Sequence, residues 1–267
     1  MIDAHMHDAM AQWLLLDRPG APQTAVILQQ SFAQAHQVSL FDGTEWHALR
    51  EHGPLLIDLR TCPALADACQ HDAQQWRGLL LTSEASCATL LAHLRRMLTV
   101  SFGLHHRALL SFYNPQTASY FFDACDAAEL SRWLGPISQL RWFGGTWADR
   151  ASGSQGWQQL LNPRLAVRPL AQEEDLSFRQ RENLQTCLLE QHAWHWSQAT
   201  GSDYSRLWLS LQEGLALGFS ERAVLDGWLW LRLQYQGAVP PLSLEGNTQQ
   251  ERLDNLRSRW QSDGPGV

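Results

Sequence analysis

The sequence predicts an α+β protein in which an N-terminal α/β lobe precedes an all-helical C-terminal lobe. Two observations predict this class. Between residues 12 and 143, short apolar runs typical of buried strands alternate with helical stretches. Such alternation indicates strand–helix–strand units and favours a mixed or mainly parallel sheet. Gly and Pro then concentrate between residues 144 and 172, and the pattern from Glu173 onward is helical.

Six segments of the N-terminal lobe are predicted to be strands. Pro54 precedes one of them, where a missing N–H is tolerated, and Asn114-Pro115 ends another, because a residue before Pro avoids the helical region. We place Leu56, Leu80 and Leu110 at the centre of the sheet. The predicted strands are 13–17, 38–41, 55–59, 78–82, 108–113 and 138–143.

Apolar residues at helical spacing predict the helices of both lobes. In the last lobe, Val224, Trp228, Leu231 and Tyr235 form one apolar stripe, and acidic residues that begin with Glu173 favour a helix start. The predicted helices are 22–36, 63–76, 86–98 and 127–134 in the first lobe, and 173–199, 203–217, 221–236 and 248–260 in the second.

These elements predict a domain organisation in five parts. Residues 1–11 are expected to be a flexible N-terminus, and residues 12–145 an α/β domain. A connecting segment over 146–172 leads into a helical lobe over 173–260. Residues 261–267, SDGPGV with the preceding Gln, are expected to be a disordered tail.

Composition argues against several classes of function. The 267 residues are 45% hydrophobic and 18% charged, with a net charge of −7, so phosphate contacts to a nucleic-acid partner are not expected. The N-terminus lacks the basic and apolar regions of a secretory signal, and no apolar run is long enough for a membrane span. The five cysteines form no paired motif. We therefore expect a cytoplasmic protein without membrane insertion.

A pair of histidines near the N-terminus offers an enzymatic alternative. His5 and His7 are spaced to bind one metal, as in metal-dependent hydrolases with a TIM-barrel fold. Against that interpretation, only Met1 and Ile2 precede the pair, and strands fade after residue 143, whereas a barrel needs eight strand–helix units. The alternative is a metal-dependent hydrolase that uses His5 and His7.

Other possible catalytic groups lack a specific arrangement. Glu190, His192 and His195 share one predicted helix, but their spacing is not that of a zinc-protease motif. The chain has no serine nucleophile elbow, no lysine for a phosphate-binding loop and no dinucleotide fingerprint. The sequence therefore predicts no catalytic residue, no cofactor and no metal.

The N-terminal lobe contains a series of landmarks in a fixed order: WLLLD at 13–17, SLFDGT at 39–44, HGPLLIDL at 52–59, RGLLLTSEASCATLLAHLRRMLTV at 77–100 and ALLSFYNPQ at 108–116. In order and spacing they resemble a family of effector adaptor-chaperones of bacterial type VI secretion, the Tap/Tec family, which is built on a domain of unknown function numbered 4123. That family has a GP-x-L turn, a G-L-x-x-x-S segment and an R-F-Y-D-P-R run. Residues 213–237 also resemble the family's helical C-terminal lobe.

The resemblance implies a non-enzymatic cytoplasmic adaptor. Such proteins bind a toxic effector and help to load it onto the spike (VgrG-type) protein of the secretion tube. A plain protein-binding scaffold without a delivery role is a further alternative. The family-motif residues, for which the resemblance implies a structural role, are Gly53, Pro54, Phe112, Tyr113, Asn114 and Pro115.

This sequence departs from the family pattern around the Phe-Tyr pair. Ser111 and Asn114 stand where the family has Arg and Asp, and Gln116 stands where it has Arg after Pro. If the family's Arg and Asp form a structural ion pair, the loss of both partners together should cost little. If they contact a partner, this chain should differ in specificity.

Tryptophan supplies the candidate partner-binding residues. Ten of the 13 Trp lie from Trp133 onward. Trp228 lies on the apolar stripe of its helix, whereas Trp230 does not, and Trp196 lies off the corresponding stripe of the preceding long helix. Exposed Trp commonly anchors protein interfaces. We therefore expect Trp230 and Trp196 to contact the effector.

Overall fold

The computed structural model describes residues 11–102, 106–241 and 243–262. The chain divides into two compact units: an N-terminal unit, Met1–Cys187, and a C-terminal unit, Leu188–Val267. The predicted flexible N-terminus and disordered tail lie almost wholly outside the described residues.

The N-terminal unit combines two sheets with helices, which confirms the mixed α+β class. Its strands are β1 (Trp13–Leu16), β2 (Gln37–Ser39), β3 (Leu55–Asp58), β4 (Gly78–Thr82), β5 (Thr99–Ser101), β6 (Arg107–Leu109), β7 (Gln139–Gly144), β8 (Gly156–Leu161) and β9 (Glu174–Asp175). Its helices are α1 (Pro22–Ser31), α2 (Pro63–His71), α3 (Cys87–Arg96), α4 (Pro115–Asp123), α5 (Ala127–Leu134) and α6 (Trp147–Ser152). A long helix, α7 (Phe178–Thr200), contains the boundary between the units.

The larger sheet has the order β2-β3-β1-β4-β7-β8, and every neighbouring pair in it is antiparallel. The expected mixed or mainly parallel sheet is therefore wrong for this sheet. The cause lies in the position of β1. It pairs antiparallel with both β3 and β4, so these two strands run in the same direction, as the strand–helix–strand pattern of β3, α2 and β4 predicts. The first strand of the chain separates them.

The central strands are buried on both faces. All four residues of β1 are buried, and alternate side chains enter different hydrophobic clusters: Trp13 and Leu15 in one, Leu14 and Leu16 in the other. The first cluster includes residues of α3, α4 and α5, and the second includes residues of α1 and α2. Helices thus cover both faces of the sheet centre, which explains the nearly continuous apolar runs in the sequence.

Leu56 and Leu80 lie in central strands, as predicted, and are 1% and 5% exposed. Leu110 is also buried, but its predicted place at the sheet centre is wrong. β6 ends at Leu109 and belongs to a separate three-stranded sheet of order β6-β5-β9. The chain leaves the strand at Leu110 because Asn114 and Pro115 begin a helix.

That helix, α4, is absent from the sequence prediction. The Asn114 side chain accepts hydrogen bonds from the backbone N–H groups of Gln116 and Thr117, and Pro115 occupies the first helical turn. An Asn cap followed by Pro is a helix start signal, because Pro needs no N–H donor there. The Asn-Pro pair was interpreted only as the end of a strand.

The predicted connecting segment, 146–172, is partly regular structure. It contains α6 and β8, and β8 pairs with β7 along its whole length to complete the larger sheet. The predicted helix start at Glu173 is also wrong, because Glu174 and Asp175 form β9, which runs parallel to β5. The buried Glu174 carboxylate binds the Arg168 guanidinium, which holds this segment extended.

The C-terminal unit consists of the last part of α7 followed by α8 (Tyr204–Ala216), α9 (Arg222–Gln234) and α10 (Gln249–Ser262). Trp228 lies at the centre of its hydrophobic cluster and is fully buried. Gly214 of α8 permits this, since a Cβ there would lie 2.5 Å from Trp228 Cδ1. Within the described ranges, no helix has both the length and the apolar character needed to cross a membrane.

Candidate partner-binding surface

The two tryptophans predicted to bind a partner lie side by side in the C-terminal unit. Trp196 is on α7 and Trp230 is on α9, and their ring centroids are 6.4 Å apart. Trp230 is 52% exposed, and Trp196 is half-buried. The helical phase deduced from the apolar stripe is confirmed for Trp230. For Trp196 it is wrong, because Trp196 packs against the hydrophobic cluster of the C-terminal unit, whereas Leu188, expected on the apolar stripe of that helix, is 66% exposed.

Asp226 fixes this aromatic pair. Its Oδ1 accepts a hydrogen bond of 2.8 Å from Trp196 Nε1, and Asp226 precedes Trp230 by one helical turn on α9. His192 Nε2 lies 3.0 Å from the same oxygen. Burial lowers the pKa of His192, with Asp226 acting in the opposite direction. The carboxylate thus orients Trp196 against Trp230. No local sequence pattern indicates this role, because Asp226 and Trp196 are 30 residues apart.

Two residues on the same helix show how sharply the environment changes. Trp228 is fully buried, and its Nε1 donates a hydrogen bond of 2.6 Å to the Ser210 carbonyl. Trp230, two positions later, projects from the opposite side of α9. A rigid, solvent-exposed ring on a helix whose other face is packed is the arrangement expected of an interface anchor.

The C-terminal unit exposes further apolar side chains that were not singled out from the sequence. Leu188 on α7 is 66% exposed, and Leu209 on α8 is 68% exposed. Leu209 lies between the buried Leu207 and Leu211, so its phase on the helix could have indicated exposure. Isolated exposed leucines are common on protein surfaces, so these two add less than the aromatic pair does.

Five of the six family-motif residues are buried in the N-terminal unit, and Asn114 is half-buried. Gly53 and Pro54 lead into β3, and a Cβ on Gly53 would lie 2.5 Å from the Phe41 ring, so only glycine fits. Phe112 and Tyr113 are 0% and 4% exposed and meet in an edge-to-face contact. Phe112 and Tyr113 thus pack in the core of the N-terminal unit.

Two of the three positions that depart from the family pattern, Asn114 and Gln116, belong to a buried polar cluster around Asp17. Asp17 Oδ2 accepts hydrogen bonds from Arg77 Nε at 3.1 Å and from Asn114 Nδ2 at 2.9 Å, and Oδ1 accepts one from the Gly20 backbone N–H. Arg77 also donates to the Gln116 side-chain oxygen. Asn114 and Gln116 thus complete the surroundings of an existing ion pair.

Electrostatics explains why this cluster needs several partners. Burial raises the pKa of the Asp17 carboxyl, while Arg77, the Gly20 N–H and Asn114 lower it. A buried carboxylate is costly unless an opposite charge and hydrogen-bond donors replace its water. The cluster joins the end of β1 to the start of α4, so its role here is to position segments of the core.

The metal interpretation finds no assembled site in the described part of the chain. There, no group of three or more His, Cys, Asp or Glu side chains is placed to hold a metal ion. His5 and His7 lie outside the described residues. His192 and His195 share α7, as predicted, and His192 faces Asp226.

A recess of about 670 Å³ in the N-terminal unit is lined by α3, α5 and the extended segment after β8. Two of its arginines, Arg132 and Arg168, are held by the buried Glu174 carboxylate. Leu165 and Val167 add exposed apolar surface. The recess is open and mixed in character, and its charges are already paired in part.

Comparison with known proteins assigns the N-terminal segment. Residues 12–132 match the family described as Domain of unknown function (DUF4123). The match runs from the residue before β1 into α5 and covers a little under half of the chain. It includes Gly53, Pro54 and the Asp17 cluster, whereas β7, β8 and the aromatic pair lie beyond the DUF4123 segment. No curated protein and no solved structure gives a significant match.

Proposed function

We propose that this protein is a cytoplasmic, non-enzymatic adaptor that binds a type VI secretion effector and helps to load it onto the spike protein of the secretion tube. The observation that carries the proposal is the DUF4123 segment at residues 12–132. This segment contains the landmarks between residues 13 and 116 through which the N-terminal lobe resembles the Tap/Tec adaptor-chaperones.

The Trp196–Trp230 pair supplies a physical basis for effector capture. Trp has large apolar area and few rotatable bonds, so it loses little conformational entropy on binding. Asp226 already orders Trp196, which lowers that cost further. We assign effector contact to this pair and the structural role to the buried family-motif residues.

The first experiment identifies the effector. The tagged full-length protein is purified from its native cell, and the bound proteins are identified by mass spectrometry. We expect a toxin together with a spike protein. Recovery of metabolic enzymes alone, or of no stoichiometric partner, would contradict the adaptor function.

The second experiment tests the surface. Trp230→Ala should weaken binding of the purified effector about 30-fold, since truncation of an interface Trp costs ~2 kcal/mol or more. Trp196→Ala should act in the same direction. Phe178→Ala, which removes a 72% exposed ring from the N-terminal part of α7, is the matched control and should leave binding unchanged. Calorimetric titration measures all three variants.

Thermal unfolding of each variant shows whether a loss of effector affinity comes from a lost contact or from a destabilised fold. Trp230→Ala should retain the melting temperature of the parent, because its ring is 52% exposed and lies outside the hydrophobic cluster. Trp196→Ala removes a half-buried ring that packs against that cluster and should lower the melting temperature, so Trp230→Ala is the deciding variant. Unchanged affinity in both would place the effector site on another surface and leave the adaptor proposal itself standing.

A further inference from the structure

The two edges of the larger sheet differ in length and exposure. β2, at one edge, has three residues, and short edge strands offer little to a second chain. β8, at the other edge, has six residues, and β7 is the one strand that pairs with it in the described ranges. Its sequence, Gly-Trp-Gln-Gln-Leu-Leu, contains neither charge nor proline, which are the usual protections of an edge.

One face of β8 is also uncovered. Leu160 packs against the core, whereas Trp157 and Leu161, on the opposite face, are 41% and 48% exposed. Trp157 contacts Phe143 of β7 edge-to-face, and the Arg141 guanidinium lies 5.3 Å from its ring centroid. The edge therefore carries an ordered apolar surface beside its free backbone groups.

Backbone register identifies the groups at the open edge. Asn162 N–H donates to the Ser138 carbonyl at 3.0 Å, so the adjacent pair, Leu161 and Gln139, is of the non-hydrogen-bonded kind. The two kinds alternate along an antiparallel pair. The N–H and C=O groups of Trp157, Gln159 and Leu161 consequently point away from β7 and towards the edge.

These three residues are symmetric about Gln159. In an antiparallel pairing of two β8 strands centred there, Trp157 of each copy faces Leu161 of the other, and the two Gln159 side chains meet on the axis. The edge-facing groups of all three residues then form six backbone hydrogen bonds. No like charges meet within the strands.

We propose that two copies of this chain associate through β8 and form a continuous twelve-stranded antiparallel sheet. The unpaired backbone groups of an edge strand can bond to another strand. The apolar–polar–apolar order of Trp157, Gln159 and Leu161 matches itself when a second copy is related by a two-fold axis. Pairing also brings the exposed Trp157 and Leu161 side chains into contact, which removes apolar surface from water.

The test introduces charged side chains at position 159, which lies on the two-fold axis of the proposed dimer. Sedimentation equilibrium of the full chain should show a monomer–dimer equilibrium. Gln159→Arg places two like charges directly opposite each other and beside Arg141, its register partner, so it should weaken the dimer about tenfold. Gln159→Glu should weaken it less, because Arg141 offsets part of the repulsion. An equal mixture of the two variants should restore dimers, as heterodimers with Arg facing Glu.

Gln158→Arg is the matched control. It adds the same charge to the same strand, but on the opposite face and away from the axis, and should leave the equilibrium unchanged. Circular dichroism verifies that each variant is folded. A parent that stays monomeric at high micromolar concentration, or an Arg–Glu mixture that stays monomeric, overturns the proposal, and so would pairing of β8 solely with a strand of another protein.

Discussion

The two units of this protein treat their polar side chains differently. In the described ranges, every buried polar or charged side chain except that of Ser210 lies in the N-terminal unit. That unit has many irregular connections, whose backbone groups need partners: Ser83 Oγ donates to the Pro136 carbonyl, for example, and Asp17 accepts from the Gly20 N–H. Backbone N–H and C=O groups inside a helix bond to each other, so the C-terminal unit needs few buried polar side chains and is held together by apolar packing.

This difference between the units corresponds to a difference in role: polar groups position the core in one unit and a surface pair in the other. Five of the six family-motif residues are buried, and Asn114 caps α4. In the C-terminal unit, the notable polar anchor, Asp226, is half-exposed and orders an aromatic pair facing solvent. The matched family segment, residues 12–132, and the candidate binding surface therefore belong to different parts of the chain.

The largest expected effect sharpens the comparison within a single helix. Trp228→Ala should destabilise the protein by about 3–5 kcal/mol, because it leaves a cavity in the hydrophobic cluster and removes the indole hydrogen bond to the Ser210 carbonyl. Trp230→Ala should change the free energy of unfolding by less than ~0.5 kcal/mol. Urea denaturation of both variants measures this contrast, and equal losses would show that Trp230 is a core residue.

The next effect probes the buried charge of the N-terminal unit. Arg77→Ala removes the cation beside the buried Asp17 and should cost roughly 3 kcal/mol, the usual result of leaving a buried charge unpaired. Arg60→Ala breaks a pair with Asp58 whose arginine is half-exposed, and should cost no more than about 1 kcal/mol. Thermal unfolding compares the two; similar losses would remove the distinction between buried and surface pairs.

A smaller effect concerns pH. His93 Nε2 lies 2.8 Å from the buried Trp133 carbonyl and donates to it, and burial lowers the His93 pKa below its usual 6.5. The unfolded chain therefore takes up a proton first. The stability contributed by neutral His93 is present above pH 6.5 and is lost as the pH falls through the folded pKa. We expect His93→Gln to lose less stability than the parent between pH 7.5 and 5.5 in urea titrations. Identical pH dependence would contradict this.

The last prediction expects no effect. Purified protein should contain no stoichiometric zinc or manganese, and the double variant His5→Ala/His7→Ala should leave elemental analysis and effector binding unchanged. One metal per chain that disappears in the double variant would favour the hydrolase interpretation over the adaptor.

Local signals in the sequence account for much of the fold. The predicted bounds of β4 and α5 agree with the structure, since Gly78 begins a purely apolar run and Gly135-Pro136 ends a short helix. The phase of α9 correctly assigned Trp228 to the core and Trp230 to the surface. α4 carried a comparable signal in Asn114-Pro115, which was interpreted for the strand alone.

Tertiary structure alone decided the rest. Alternating strands and helices indicate that β3 and β4 are parallel, but no local pattern shows that β1 lies between them, because strand pairing depends on contacts distant in sequence. The same reason hid the assignment of β8 to the sheet, the ion pair between Asp17 and Arg77, and the bond from Trp196 to Asp226. Sequence determined which residues avoid water, since hydrophobic periodicity is local, whereas the choice of partners for strands and buried charges required the folded chain.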